Sequence, residues 1–219
     1  TMIIETCRAF GVEVTAGDIT RGPTITRYEI YPAIGLRVSR ITQLEADLAR
    51  ATKADIDMAL QCGADGVIIE VPIGYPKLKT QFGWTWEDVV KKSAPVINYA
   101  KENGLHAVFF PYDTTRARRS DLENMCKAIM DQSPPDAIGL VDTMGCATPE
   151  AIKYMVRWLT KMTELPVEIH THNDFGMGVA TELAAVTAGA QCVHSCANGL
   201  GERTGNAALE ELMMGLHLL

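Results

Sequence analysis

From residue 54 onward, short apolar runs that end in polar or glycine residues alternate with longer stretches of helical periodicity. Apolar runs bounded by turn residues read as strands, and apolar residues recurring every three or four positions read as helices. On this basis "ADGVIIEVP" (64–72) is a strand that follows the helix "KADIDMALQCG". "LHAVFFPYD" (105–113) is a second, after the helix "WEDVVKKSAPVINYAKENG", with Gly104 where a helix C-cap glycine belongs. "DAIGLVDTMG" (136–145) is a third, after a helix from about Ser120. "PVEIHTHND" (166–174) is a fourth, after "TPEAIKYMVRWLTKMT", where Thr148 and Pro149 form an N-cap and first-turn pair. "AQCVHSCANG" (190–199) is a fifth, after the alanine-rich helix "VATELAAVTAG".

Near-continuous Val/Ile/Leu runs of this kind belong to parallel strands covered by helices. Five β/α units in series fit either a doubly wound sheet or part of a (β/α)8 barrel. The strand ends favour the barrel. Polar residues gather at the C-terminal end of each unit: Asp113 with Arg116, Asp142 with Thr143, His170 with His172, and Asn198 followed by "GLGERTGN". A barrel draws its site from many such ends around one centre, and neither G-x-G-x-x-G nor G-x-x-x-x-G-K-[ST] occurs to support a nucleotide-binding sheet. The expected fold class is α/β, an incomplete (β/α)8 TIM-type barrel of about five units.

Composition narrows the setting. The chain has 219 residues, 47% of them hydrophobic, enough for one large domain or two small ones. The first residues carry Glu5 and Arg8 where a signal peptide needs an apolar run, and no long apolar span occurs, so a cytoplasmic protein is expected. Six cysteines without C-x-x-C pairs read as reduced, mostly buried thiols, with no role assigned to Cys192 or Cys196. The net charge of −7 gives no reason to expect a nucleic-acid surface, although residues 1–53 hold seven Lys and Arg against six Asp and Glu.

The chemistry concentrates in "EIHTHNDFGMG" (168–178). Side chains at i and i+2 of a strand share a face, so His170 and His172 should both enter the barrel mouth, with Thr171 turned toward the helices. Two neutral imidazoles converging on one point make half of a divalent-metal site. The alternative is a pair of satisfied core or surface histidines.

"HTHNDFGMGVA", "NGLGERTGNAALEEL" and "VDTMGCATPEAI" together resemble the signatures of the pyruvate carboxyltransferase, or HMG-CoA-lyase-like, superfamily, which includes isopropylmalate, homocitrate and citramalate synthases. The resemblance implies that His170, His172 and Asn206 hold a divalent metal, Mn²⁺, Mg²⁺ or Zn²⁺, and that Thr143, beside Asp142, holds the carboxylate of a 2-oxo acid. It implies Claisen-type condensation with acetyl-CoA, or the reverse cleavage. Glu202 and Arg203 of "GERTGN" would be catalytic or would orient the loop carrying Asn206, and Asp113 and Arg116 of "FFPYDTTR" match a further substrate-binding element. Tyr112 departs from the glutamate usual in isopropylmalate and homocitrate synthases, and the family's first-strand D-x-x-x-R-D-G is absent. Turnover is therefore expected to be very slow, with Glu70 the candidate replacement.

Residues 1–53, including "ITRGPTITRYEIYP" and "GLRVSRITQLEADLARA", resemble instead a segment of FtsK/SpoIIIE-type DNA translocases, without their phosphate loop. The resemblance implies a small α/β lobe in which "GPTITRYEIYP" pairs with "LRVSRI", joined by a helix across residues 43–62. The two resemblances suggest a chimera. An interaction module of a translocase, or a folded chimera without physiological activity, stands as the alternative to an enzyme fragment. Unpaired edges of the parallel sheet lead to the expectation of a homo-oligomer.

Overall fold

The computed structural model describes residues 14–21, 26–32 and 53–219. The chain divides into two compact units, Thr1–Arg50 and Ala51–Leu219. In the first, β1 (Val14–Arg21) pairs antiparallel with β2 (Thr26–Pro32), with a register shift between Ala16 and Ile19. The observed partner of "TRYEIYP" is thus β1. The expected partner, residues 36–41, lies outside the described residues, as does the expected helix before residue 53.

The second unit runs α1 (Lys53–Gln61), β3 (Gly66–Pro72), α2 (Trp86–Glu102), β4 (His106–Tyr112), α3 (Arg119–Gln132), β5 (Ala137–Asp142), α4 (Pro149–Thr163), β6 (Val167–Thr171), α5 (Gly178–Ala188), β7 (Cys192–His194) and α6 (Leu209–Leu218). The strands pair in parallel in the order β3-β4-β5-β6-β7. Sequential order with an intervening helix at every step is a barrel segment, and no strand among the described residues pairs with the outer edges of β3 and β7.

Local sequence explains the helix starts. Thr148 accepts a hydrogen bond from the Ala151 amide (3.3 Å) and Pro149 fills the first turn of α4. Thr85 and Asp88 form a capping box at α2, whose Asp88 accepts from the Thr85 amide at 2.9 Å. Ile152, Val156 and Leu159 then place one buried stripe of α4 over the sheet.

Alternation divides each strand between two layers. Ile69, Phe109, Ile138, Leu140, Val167 and Ile169 join the helices in the main core, each 2% exposed or less. Burying such side chains stabilises by about 1.5–3 kcal/mol each. The opposite face, toward the barrel lumen, carries a smaller apolar group of Val108, Phe110, Ala137 and Val141 beneath Tyr112. Phe110 reaches over β5 because Gly139 has no side chain: a Cβ there would overlap the ring. The histidines lie above this apolar floor.

Candidate metal centre

β6 positions the histidine pair. His170 and His172 both face the lumen, their ring centroids 5.1 Å apart and nearly perpendicular, while Thr171 between them is fully buried on the helical side, where it donates toward Gly178 O and Glu182 Oε1. Burial, with the neighbouring His172 and His194, pushes the His170 imidazole down to about 4. Burial, with Arg203 nearby, lowers His172 as well. Both rings are neutral at pH 7, the form that binds metals.

The "GLGERTGN" loop folds back against the end of β6. Asn206 forms an antiparallel bridge with His172, and the Asn173 amide donates to Gly205 O at 2.9 Å. This return needs glycine at 205, where φ is +98° and a Cβ would collide with the carbonyl of Gly199. Arg203 ties the loop down with a two-point contact to Asp174 (2.8 and 2.9 Å) and a third hydrogen bond to the Thr143 carbonyl at 2.6 Å. Hydrogen bonding to Arg203 holds the Asp174 carboxyl below its usual range.

Two buried polar atoms at this junction have no hydrogen-bond partner: His172 Nδ1 and Asn206 Oδ1. An unmade hydrogen bond at a buried site costs about 1–3 kcal/mol, so two lone pairs left open on residues that are bridged to each other fit a cation. Asn206 Nδ2 meanwhile donates to Cys196 Sγ at 3.5 Å, which orients the amide. The donor set of imidazoles and an amide oxygen suits the divalent ions expected from the sequence.

The remaining sequence candidates lie in and beneath the rim. Thr143 Oγ1 accepts from the Asp113 amide at 2.7 Å, which leaves its hydroxyl hydrogen to donate. Asp113 is fully buried in a left-handed conformation (φ +63°), and both its oxygens are taken by Arg116 at 2.7 Å. Asp142 is 1% exposed and accepts from Thr115 (2.8 Å) and the Ala147 amide (2.9 Å). These two carboxylates fix the loops after β4 and β5; Arg203 meets the Thr143 carbonyl, and Asn206 is bridged to His172, whose ring neighbours that of His170. Tyr112 stands at the end of β4 with the Lys77 ammonium 4.8 Å from its ring centroid.

Sequence reading missed His194. It stacks on Phe110 at 5.2 Å, lies 5.7 Å from His170, and meets Glu168 at 2.9 Å. Glu70, the candidate replacement carboxylate, is exposed at the β3 edge of the same lumen; desolvation first and Glu202 second raise its pKa, and His194 opposes them. The cysteines correct an expectation. Among the described residues only Cys126 is fully buried; Cys62, Cys146 and Cys192 are exposed, and Cys192 shares a register position and a face with Glu168. The expected burial of Cys192 fails because β7 is an edge strand.

A parallel barrel segment carrying two strand-end histidines and a returning asparagine places the chain among (β/α) barrel proteins. Residues 37–219 match the HMGL-like family model, and the chain belongs to that family. It is 40% identical over 169 residues to homocitrate synthase AksA of Methanopyrus kandleri, covering 77% of this chain and 42% of that protein. It is 39% identical over 184 residues to 2-isopropylmalate synthase of Methanocaldococcus jannaschii, covering 82% and 35%. The chain thus spans about two fifths of the length of these curated relatives. The HMG-CoA lyase of Brucella melitensis superimposes with a TM-score of 0.66 at 16% identity, covering 76% of this chain and 63% of that one, and so supports the fold. The family match begins at residue 37, inside the segment 1–53 expected to belong to a different family.

Proposed function

We propose that this chain forms the metal-holding and 2-oxo-acid-holding part of a Claisen-type acyltransferase or carbon–carbon lyase that uses acetyl-CoA. The observation that carries the reading is the pair of orphaned buried atoms, His172 Nδ1 and Asn206 Oδ1, beside a second neutral imidazole on His170. Those three residues are the metal ligands in this reading. A bound divalent ion supplies Lewis acidity that polarises a ketone. The relatives named homocitrate synthase and 2-isopropylmalate synthase support the reading.

The chain's own residues divide the remaining work. The Thr143 hydroxyl donates to the substrate carboxylate, held in place by the Asp113 amide behind it. Arg203, whose guanidinium is committed to Asp174 and the Thr143 carbonyl, positions the Asn206 loop against that same threonine. Asp113, Arg116 and Asp142 keep the two adjoining loops rigid. Glu70, whose pKa is raised first by desolvation and then by the charge of Glu202, and Glu202, with 74% of its side chain exposed, offer carboxyl groups for proton transfer. A homo-oligomer that covers the edges of β3 and β7 belongs to the same reading. The translocase-like resemblance of residues 1–53 supports a second reading for that segment alone, as an interaction module.

Pyruvate binding tests the proposal. Calorimetry should detect pyruvate only when Mn²⁺ is present, and Thr143→Val should weaken it about tenfold, a typical consequence of removing one hydrogen bond to a charged group, while Thr143→Ser restores it. Binding that is independent of metal, or unchanged in Thr143→Val, would overturn it.

A further inference from the structure

Lower in the lumen, β6 and β7 bring together a second set of ligand-type side chains outside the reading above. The parallel register sets Glu168 beside Cys192 and His170 beside His194. One ligand atom each from Glu168, Cys192 and His194 can be chosen so that all lie within 4.8 Å of one another. We propose that these three residues form a second cation site that takes a borderline-soft divalent ion, Zn²⁺ in preference to Mg²⁺ or Mn²⁺.

The geometry is close to what such an ion needs. Ligand atoms about 2.0–2.3 Å from a tetrahedral Zn²⁺ stand roughly 3.3–3.8 Å from one another, so shifts of an ångström or less complete the set. Glu168 Oε2 and His194 Nε2 are already aligned at 2.9 Å on side chains that are 13% and 21% exposed. An ordinary ion pair accounts for those two residues but leaves Cys192 unexplained. The exposed thiol stands on the open side, and three protein ligands leave a fourth position for water or another small donor. On binding, the Cys192 sulfur gives its proton to solvent and forms the bond to the ion; no electron transfer is involved.

The chemistry of the set decides the class of ion. A thiolate with an imidazole and a carboxylate favours Zn²⁺ or Co²⁺, whereas Mg²⁺ takes oxygen ligands. The site shares no residue with the His170/His172/Asn206 junction but adjoins it, since His194 stands 5.7 Å from His170 by ring centroid. Glu168 and His172 are four residues apart, about 13 Å along a strand, too far for one ion to serve both.

Cobalt is the probe that reports sulfur directly. The full chain, kept reduced, is titrated with Co²⁺ alone while the near-ultraviolet thiolate-to-cobalt charge-transfer band is followed. The band should saturate by two Co²⁺ per chain in the wild type and by one in His172→Ala, where the first site is removed; it should vanish in Cys192→Ser, persist in Cys196→Ser, and be displaced by Zn²⁺ but not by excess Mg²⁺. Glu168→Gln should keep the band and weaken Co²⁺ binding at least about tenfold; this second variant carries the test if Cys192→Ser fails to fold by circular dichroism. No charge-transfer band in the wild type, its survival in Cys192→Ser, its loss in Cys196→Ser, or unchanged affinity in Glu168→Gln would each overturn the proposal.

Discussion

Glu182 gives the sharpest energetic prediction. It lies on α5 with no exposed surface, receives the Thr171 hydroxyl at 3.2 Å on one oxygen, and has no partner on the other. Burial pushes its carboxyl from 4.5 up to about 8, against the opposing hydrogen bond from Thr171. Between those two values the folded chain holds a proton that the unfolded chain has released. The stability contribution is therefore fully present below about 4.5, falls as pH rises, and levels off above about 8. Each pH unit inside that window costs about 1.4 kcal/mol, so from pH 5.5 to 7.5 the wild type should lose roughly 2–3 kcal/mol relative to Glu182→Gln, which cannot ionise. Urea unfolding of both proteins at the two pH values measures the difference, and titrations common to both cancel. A gap between the two proteins that stays constant within about 0.5 kcal/mol would refute the reasoning, because it would mean that Glu182 reaches water or a cation in the folded state.

Other consequences follow from the same geometry. Asp174→Ala frees the Arg203 guanidinium and with it the Asn206 loop, so Mn²⁺ affinity measured by calorimetry should fall about tenfold, while the melting temperature changes little because the pair is partly exposed. Gly139→Ala drives a methyl group into the Phe110 ring and should destabilise the fold by about 1–3 kcal/mol in urea unfolding. Because burial already holds His170 down to about 4 and lowers His172, protons should compete less for these ligands than for ordinary histidines, and the loss of Mn²⁺ affinity between pH 7.5 and 5.5 should stay well below that of two unperturbed imidazoles. Two histidines with ordinary pKa values near 6.5 would each cost about tenfold over that range.

The barrel segment was legible in the sequence because its local signals agree. Each strand is a short apolar run, each helix has an apolar stripe, and Thr148 with Pro149 marks a helix start that the structure shares. The shared face of His170 and His172 could be read from spacing alone, since the strand period is two. The Glu168, Cys192 and His194 cluster could not. Glu168 and His194 are 26 residues apart, and only the register between β6 and β7 makes them neighbours. The π-helical turn at Lys77–Phe82 was equally hidden, because its apolar residues Leu78 and Phe82 fit several periods and tertiary packing of Leu78 selects one. Buried roles for Asp113 and Asp142 were invisible for another reason: their partners Arg116, Thr115 and the Ala147 amide lie in loops whose path no propensity encodes.

The central claim is that His170, His172 and Asn206 hold a divalent cation, and Mn²⁺ calorimetry on the full chain tests it most directly. The account predicts one Mn²⁺ bound per chain, with affinity reduced at least about 100-fold in the His170→Ala/His172→Ala double variant, since each lost ligand costs tenfold or more. Equal Mn²⁺ binding by the wild type and the double variant would contradict it.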